Sequence, residues 1–221
     1  MTSPILRVND LVVRPEDPQL TFECAAGLTL LVCARESGAS TLSMALAGRF
    51  KPASGQIDIS GARTTRQRFR AVALAGVTLI DSLERSVSVR EVIREQIAWA
   101  QPWYKRVSRD ILTHPLVQPW LEPLGLGALD PSAAVAGLDT LTRLKLRVLL
   151  ALTSRPDASL LVVDDPDQLR TIELRDALLD SLRNVAQVLP VVVVSVNPDI
   201  GNHAEHVVDV RDSDRRKEAM S

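Results

Sequence analysis

The stretch that decides the fold covers residues 28–48 and reads LTLLVCARESGASTLSMALAG. Its first part, LTLLV, is a mainly apolar run that follows a glycine turn at Gly27, and it predicts a buried strand. A short polar loop comes next, and the residues after it carry apolar side chains at helical spacing. The stretch therefore predicts a strand, a loop and a helix in direct succession.

The loop of this stretch, CARESGAST from Cys33 to Thr41, lies where a phosphate-binding loop would lie. Such a loop reads G-x-x-x-x-G-K-[ST], and its lysine reaches the terminal phosphates of a nucleotide. Gly38 and Ser40 match this pattern, whereas Ala39 stands at the lysine position. Backbone N–H groups at a helix N-terminus still attract an anion, but a lost charge-assisted hydrogen bond costs about 1.5–3 kcal/mol.

The composition is that of a globular protein with a sizeable core. Hydrophobic residues make up 46% of the 221 residues, and 26 basic residues nearly balance 27 acidic ones. This balance argues against a dedicated nucleic-acid surface, so nucleic acid is not an expected partner. The N-terminus lacks a secretion signal, and no apolar run approaches the ~20 residues that span a bilayer. We therefore expect a cytoplasmic protein in which Cys24 and Cys33 are buried, reduced thiols.

Strand and helix patterns alternate along most of the chain. Besides the first stretch, strands are predicted at 5–13, 19–24, 56–61, 72–80, 158–165, 189–196 and 206–212, and helices at 88–100, 109–126, 138–154 and 168–187. Apolar runs rich in β-branched residues, alternating with amphipathic helices, favour an α/β fold with a parallel sheet covered on both faces. Residues 87–154 break the alternation because they are mainly helical, with prolines that divide them into short helices.

Four segments in order resemble the nucleotide-binding domain of ABC (ATP-binding cassette) proteins. They are the loop itself, STLSMALAGRFKPASGQIDISG (40–61), SVSVREVI (86–93) and SRPDASLLVVDDPD (154–167). The resemblance covers nearly the whole chain and implies a mostly parallel sheet of the P-loop NTPase type, N-terminal antiparallel strands and an inserted α-helical subdomain. It implies the following division: an α/β core at 1–86 and 155–211, the helical subdomain at 87–154 and a flexible tail at 212–221.

The resemblance also implies which residues would hold a nucleotide. The hydroxyl of Ser40 and the carboxylate of Asp164, which ends the strand LLVV, match the family's magnesium ligands. If nucleotide binding is retained, its residues are those of the loop: Gly38, Ala39, Ser40 and Thr41. Because the lysine is missing, we expect no resident cofactor, and ATP with Mg²⁺ remains the alternative.

Other functional groups of the family are replaced as well. Asp165 stands at the position of the catalytic glutamate and is one methylene shorter, and Asn197 stands at the position of the histidine that senses the γ-phosphate. Neither a glutamine in GVTLIDSLER (76–85) nor an adenine-stacking aromatic residue in LVVRPED (11–17) is present. We therefore assign no catalytic residue and expect a pseudo-ATPase.

The family's signature, LSGGQ, is also absent. The matching place reads TLTRL (140–144), which contains no glycine, and Thr140 or Thr142 is expected to cap a helix.

In the loop from Cys33 to Thr41, Glu36 adds a carboxylate that would repel phosphate. Arg35 either replaces the lysine as a cation or is a solvated loop residue.

These losses favour a non-hydrolysing cytoplasmic adaptor or regulatory subunit. Its partner would be a membrane permease or another integral membrane protein, which would hold it at the inner face of the membrane, or an intact ABC subunit. An ATP-binding subunit that pairs with a catalytically intact one is the alternative, and a stand-alone binding protein for another ligand is a third. Without sandwiched nucleotide, we expect weakened self-association.

Aromatic residues in the helical block are the candidates for a partner contact. Trp99 and Trp120 are expected to fill the core of the subdomain. Trp103 and Tyr104 follow a proline and precede two basic residues, so we expect them to be exposed and to contact the partner.

Overall fold

The computed structural model describes residues 4–35, 37–77, 84 and 86–211. The expectations for Glu36, for the end of the strand at 72–80 and for the tail at 212–221 concern residues outside this part.

A parallel sheet lies at the centre of the described part of the chain. In order across the sheet, its strands are β5 (Val72–Ala75), β6 (Leu160–Asp164), β7 (Val191–Ser195), β3 (Leu28–Val32) and β8 (His206–Asp209). All neighbouring strands are parallel, so the loops that follow them leave from the same edge. β3, β6 and β7 are buried at every residue, which is why their sequences are nearly continuous apolar runs.

A separate antiparallel sheet is formed by three strands of the described N-terminal part. In order, they are β2 (Leu20–Cys24), β1 (Leu6–Val12) and β4 (Ser54–Ile59). Buried and exposed residues alternate along β2 because only one face of this sheet packs against the core. The predicted α/β fold with a parallel sheet and N-terminal antiparallel strands is confirmed.

Helices cover both faces of the parallel sheet. They are α1 (Ala39–Leu46), α2 (Thr65–Ala71), α3 (Val89–Ala100), α4 (Gln118–Leu121), α5 (Thr140–Ser154) and α6 (Ile172–Ala186). Side chains of one strand alternate between the two faces: Val163 packs with α3, α5 and α6, and Val162 packs with α1 and the antiparallel sheet. Among the described residues, no helix is both long and apolar enough to cross a membrane.

The helical block at 87–154 contains α3, α4 and α5, joined by turns. Within 109–126, where the sequence predicts helix divided by prolines into short pieces, only the four residues of α4 are helical. Pro115, Pro119 and Pro123 remove backbone donors at four-residue intervals, so turns form instead. Buried residues of this block share one hydrophobic cluster with the central sheet. The subdomain division stays a prediction.

Helix α2 was not predicted from the apolar pattern. The side chain of Thr64 accepts a hydrogen bond from the backbone N–H of Gln67, and the side chain of Gln67 binds the backbone of Thr64 in return. This reciprocal cap has a sequence signature, Thr-x-x-Gln, which could have located the helix.

Both cysteines lie in the core, as expected, with exposed fractions of 1% for Cys24 and 2% for Cys33. Burial raises the pKa of the Cys24 thiol to about 12, so almost no reactive thiolate forms at neutral pH.

We expect neither thiol of the native protein to react with an aromatic disulfide reagent at about pH 8, and both to react after unfolding in guanidinium chloride. Rapid labelling of the native protein would contradict this packing.

Candidate functional site

A pocket of about 490 Å³ opens at the edge of the parallel sheet where β6 and β7 end and α1 begins. Six residues selected from the sequence line it together: Gly38, Ala39, Ser40, Thr41, Asp164 and Asp165. The strand-loop-helix order places the loop here, because the loop after β3 leaves the sheet beside the ends of its neighbours. Their roles in binding remain predictions.

The N-terminus of α1 forms one wall of this pocket. Gly38 precedes the helix with φ 71° and ψ 33°, a left-handed conformation that glycine adopts without strain. The carbonyl of Gly38 accepts from the N–H groups of Thr41 and Leu42, at 2.7 and 3.1 Å. In the described part of the chain, no side chain caps α1, whereas α2, α3, α5 and α6 each have a side-chain cap. The first N–H groups of α1 therefore remain available as donors to an anion.

Asp164 is the most buried charged group of the pocket, with an exposed fraction of 1%. One carboxylate oxygen accepts a hydrogen bond from the hydroxyl of Ser43 at 2.6 Å, and the other, Oδ2, has no hydrogen-bond partner among the described residues. Burial raises the pKa of Asp164, and hydrogen bonds from Ser40 and Ser43 oppose this effect. An unsatisfied buried carboxylate oxygen is costly and is suited to a ligand or a cation.

The pair of Ser40 and Asp164 fits the donor set of a magnesium–phosphate site. Magnesium prefers oxygen ligands and in such sites takes one or two from the protein and the rest from phosphate and water. Within the described residues, no three His, Cys, Asp or Glu side chains cluster closely enough to hold a metal by themselves. A metal at this pocket would therefore need further oxygens, from phosphate or water, to complete its coordination.

Asp165 adopts a strained backbone conformation at the rim of the pocket. Its φ of 47° and ψ of 64° are left-handed, which is uncommon for a residue with a side chain. Its N–H donates to the carbonyl of Val194 at 3.1 Å, so the strain is held by the adjacent strand. Burial raises the pKa of Asp165, and the charges of Asp164 and Asp167 add to the effect. The site therefore keeps two neighbouring carboxyl groups that both resist ionisation.

A buried ion pair, not identified from the sequence, holds the loops that follow β6 and β7. The guanidinium of Arg175, 4% exposed, donates to Asp167 at 3.0 Å and to the carbonyl of Asn197 at 3.1 Å. Asp167 in turn accepts from the hydroxyl of Ser195 at 2.7 Å and from the N–H of Val196 at 2.9 Å. Val196 lines the pocket, and Asn197 lies outside its lining.

The predicted helix cap in the signature region is wrong. Asp139 caps α5: its carboxylate accepts from the N–H of Thr142 at 2.9 Å and from the Thr142 hydroxyl at 2.5 Å. A carboxylate accepts both bonds at once, and its charge favours the N-terminus of a helix. Thr140 is the first helical residue and not the cap.

The cation in the described lining of the pocket is Arg14, whereas the sequence suggested Arg35. Arg35 is exposed and does not line the pocket, in agreement with a solvated loop residue. Arg14 lines the pocket, and its Nη2 donates to the Thr41 hydroxyl at 2.5 Å. The antiparallel sheet brings these residues together across 27 positions of the chain, and no local pattern signals such a contact.

A second concave surface, of about 540 Å³, lies between α3, α5 and the core, and we call it the groove. Trp99 lines the groove with 79% of its surface exposed, so its predicted place in the core is wrong. Trp99 lies in the last turn of α3, and the buried Val92 of the same helix also lines the groove. Trp120 packs against the core as expected, and Trp103 and Tyr104 are 94% and 68% exposed.

No protein-family model matches the chain, and no curated protein matches its sequence significantly. Its fold is nevertheless similar to solved ATP-binding cassettes. The cassette cbiO1 from Clostridium perfringens, part of the ABC transporter complex cbiONQ, matches with TM-score 0.75 and 15% identity over 95% of this chain and 86% of that one. An ABC transporter ATP-binding protein from Pyrococcus furiosus matches with TM-score 0.67 and 18% identity over 93% and 96%.

A metal-chelate type ABC transporter in an inward-facing conformation also matches, with TM-score 0.71 and 18% identity over 96% of this chain and 81% of that one. The chain therefore has the α/β fold of the ATP-binding cassettes of ABC transporters. At these identities the likeness establishes the fold, and function must be argued from the pocket and the groove.

The buried carboxylate of Asp164 is expected to make the free energy of unfolding depend on pH. Because its folded-state pKa is raised above the unfolded value, ionisation of Asp164 destabilises the fold as the pH rises above about 3.9. Asn keeps an acceptor for Ser43 and removes the charge, so Asp164→Asn should raise the melting temperature near pH 8 by about 2–4 °C, which corresponds to about 1 kcal/mol.

The gain should vanish towards about pH 3, below the unfolded-state pKa of about 3.9, where the carboxyl is mostly protonated in both states. Thermal melts followed by circular dichroism at both pH values measure it. Asp157→Asn, at an exposed aspartate, is the matched control and should leave the melting temperature unchanged. A lower melting temperature of Asp164→Asn near pH 8 would show that the charge stabilises the fold.

Proposed function

We propose that the chain is a non-hydrolysing cassette subunit that acts as an adaptor or regulatory subunit of an integral membrane protein at the cytoplasmic face of the membrane. The observation that carries this proposal is the chemistry of the pocket. Ala39 lines it at the lysine position and offers no charge, and Asp164 and Asp165 line it as neighbouring acids with raised pKa values.

Phosphoryl transfer depends on positioning and charge stabilisation at the transferred group. Arg14, the cation in the described pocket lining, contacts Thr41, whereas Asp165 lies at the end of β6. Burial raises the pKa of both acids, and the charge of Asp164 adds to the effect at Asp165. Such an arrangement supports binding better than turnover.

The groove supports a docking role. Glu91, Glu95 and Trp99 of α3 line it, together with Arg147 of α5 and Arg155, which follows α5. Exposed aromatic residues and arginines are enriched at the centres of protein interfaces. In the family that the sequence resembles, the corresponding cleft receives a short helix of a membrane protein, and cbiO1 is part of a transporter complex.

Trp103 and Tyr104 extend the proposed partner surface beyond α3. Their rings meet edge to face, with centroids 6.1 Å apart, and both remain exposed. Large exposed aromatic surface is costly in water, so burial against a partner would be favourable. The exposed Lys105 and Arg106 follow directly and add positive charge to this surface.

A second candidate function is an ATP-binding subunit paired with a catalytically intact one. The observation that favours it is the unpartnered oxygen of Asp164 in the same pocket as the hydroxyl of Ser40. These two groups fit a magnesium–phosphate ligand, which a subunit devoted only to docking has no need to retain.

An ATPase assay of the purified chain tests the absence of hydrolysis. We expect wild-type protein to release no more phosphate from ATP and Mg²⁺ than the Asp165→Asn variant does, because Ala39 offers no charge at the lysine position and Asp165 resists ionisation. Turnover in the wild type that Asp165→Asn abolishes would overturn the non-hydrolysing function and favour the second candidate.

Capture of membrane proteins from detergent-solubilised membranes tests the docking. We expect wild-type chain to retain an integral membrane protein, and Trp99→Ala or Trp103→Ala to lose it, because buried interface tryptophans each contribute about 2 kcal/mol or more. Val188→Ala is the matched control, since Val188 is 72% exposed and lies outside the groove. Equal capture by all variants would exclude the groove and Trp103 as the docking surface.

A further inference from the structure

A cation from the connection between β1 and β2 lies at the loop that precedes α1. Nη2 of Arg14 is 2.5 Å from the hydroxyl of Thr41, in the first turn of α1. Nη1 lies 3.7 Å from the place where a β-carbon on Gly38 would stand, so the guanidinium also lies beside this left-handed glycine. The positive charge is therefore held at the uncapped N-terminus of α1.

The backbone around Arg14 is firmly anchored. Its N–H donates to the carboxylate of Asp17 at 2.9 Å, and its carbonyl accepts from the N–H of Asp17 at 2.9 Å, which closes a tight turn. Val13, directly before it, is 4% exposed, and the N–H of Ala53 donates to the carbonyls of Val12 and Val13. The turn therefore directs the guanidinium at the loop while the side chain itself stays accessible.

Arg14 carries its positive charge without an ion-pair partner in the part of the chain that the structure describes. A guanidinium that lies beside free backbone donors, with no carboxylate partner, is suited to bind the oxygens of a phosphate group.

An independent observation on the opposite wall points to the same class of ligand. Oδ2 of Asp164 is buried in the pocket without a hydrogen-bond partner among the described residues, and Ser40 lines the pocket beside it. These oxygens suit a divalent cation, and Arg14 with the N-terminus of α1 suits an anion. A magnesium-bound oligophosphate carries both charges.

We propose that Arg14 replaces the missing loop lysine, so that the pocket binds a magnesium-bound oligophosphate such as that of a nucleoside di- or triphosphate. Arg14 is a binding residue that supplies the fixed positive charge from outside the loop. Arg14 contacts Thr41, whereas the hydroxyl that approaches Asp164 is that of Ser40. The cation and the proposed metal therefore use different residues of the loop. This inference adds a ligand to the proposed adaptor and does not depend on the docking partner.

Calorimetric titration with ATP and with inorganic tripolyphosphate, each with Mg²⁺, tests this role. We expect Arg14→Ala to weaken the binding of the ligand about tenfold to a hundredfold, the effect of one charge-assisted hydrogen bond. Arg35→Ala, which removes an exposed arginine outside the pocket lining, is the matched control and should leave the affinity unchanged. Ala39→Lys in the Arg14→Ala background should restore binding, since it returns a cation to the loop.

Each outcome decides the inference. Binding of both ligands assigns the site to the phosphate chain, and binding of ATP alone assigns it to a nucleotide. No heat from the wild type at millimolar concentrations of either ligand, or equal affinity of wild type and Arg14→Ala, would overturn the role of Arg14. Neither of these two results affects membrane-protein capture. Turnover of ATP would overturn the non-hydrolysing function, but the role of Arg14 would still be decided by the ratio of the ligand affinities of wild type and Arg14→Ala.

Discussion

The parallel register of three buried strands is the constraint on which the rest of the structure depends. β3 pairs with β7 so that Val32 lies beside Ser195, and β6 pairs with β7 so that Asp164 lies beside Val194. The loops that follow these strands therefore begin side by side at one edge of the sheet. The loop after β3, the acids at the end of β6 and the turn after β7 meet there because neighbouring parallel strands end at the same edge of a sheet.

Burying charge at this edge of the sheet is energetically unfavourable, and the buried acids Asp167 and Asp164 differ in how their charge is compensated. Asp167 and Arg175 neutralise each other and share further hydrogen bonds with Ser195 and nearby backbone, so the pair holds two loops in one arrangement. Among the described residues, Asp164 forms no ion pair and retains an oxygen without a hydrogen-bond partner. Groups that are left unsatisfied at the expense of stability are typical of binding sites.

The pocket and the groove are physically connected through β5. Leu74 lines the groove and Val77 lines the pocket, and Gly76 lies between them. Gly76 has a φ of 92° and packs so closely on the backbone of Asp164 that a β-carbon would collide with its carbonyl oxygen.

The sequence by itself determined the fold class, the strands of the sheet, the long helices α3, α5 and α6, and the residues that line the pocket after β3 and β6. These follow from periodicity and from the order of strand, loop and helix, which are local properties of the chain. Only the tertiary structure decided that Arg14 reaches Thr41, that Arg175 pairs with Asp167 and that Trp99 is exposed. Such contacts depend on sheet register and helix packing, which bring distant side chains together without leaving a local pattern in the sequence.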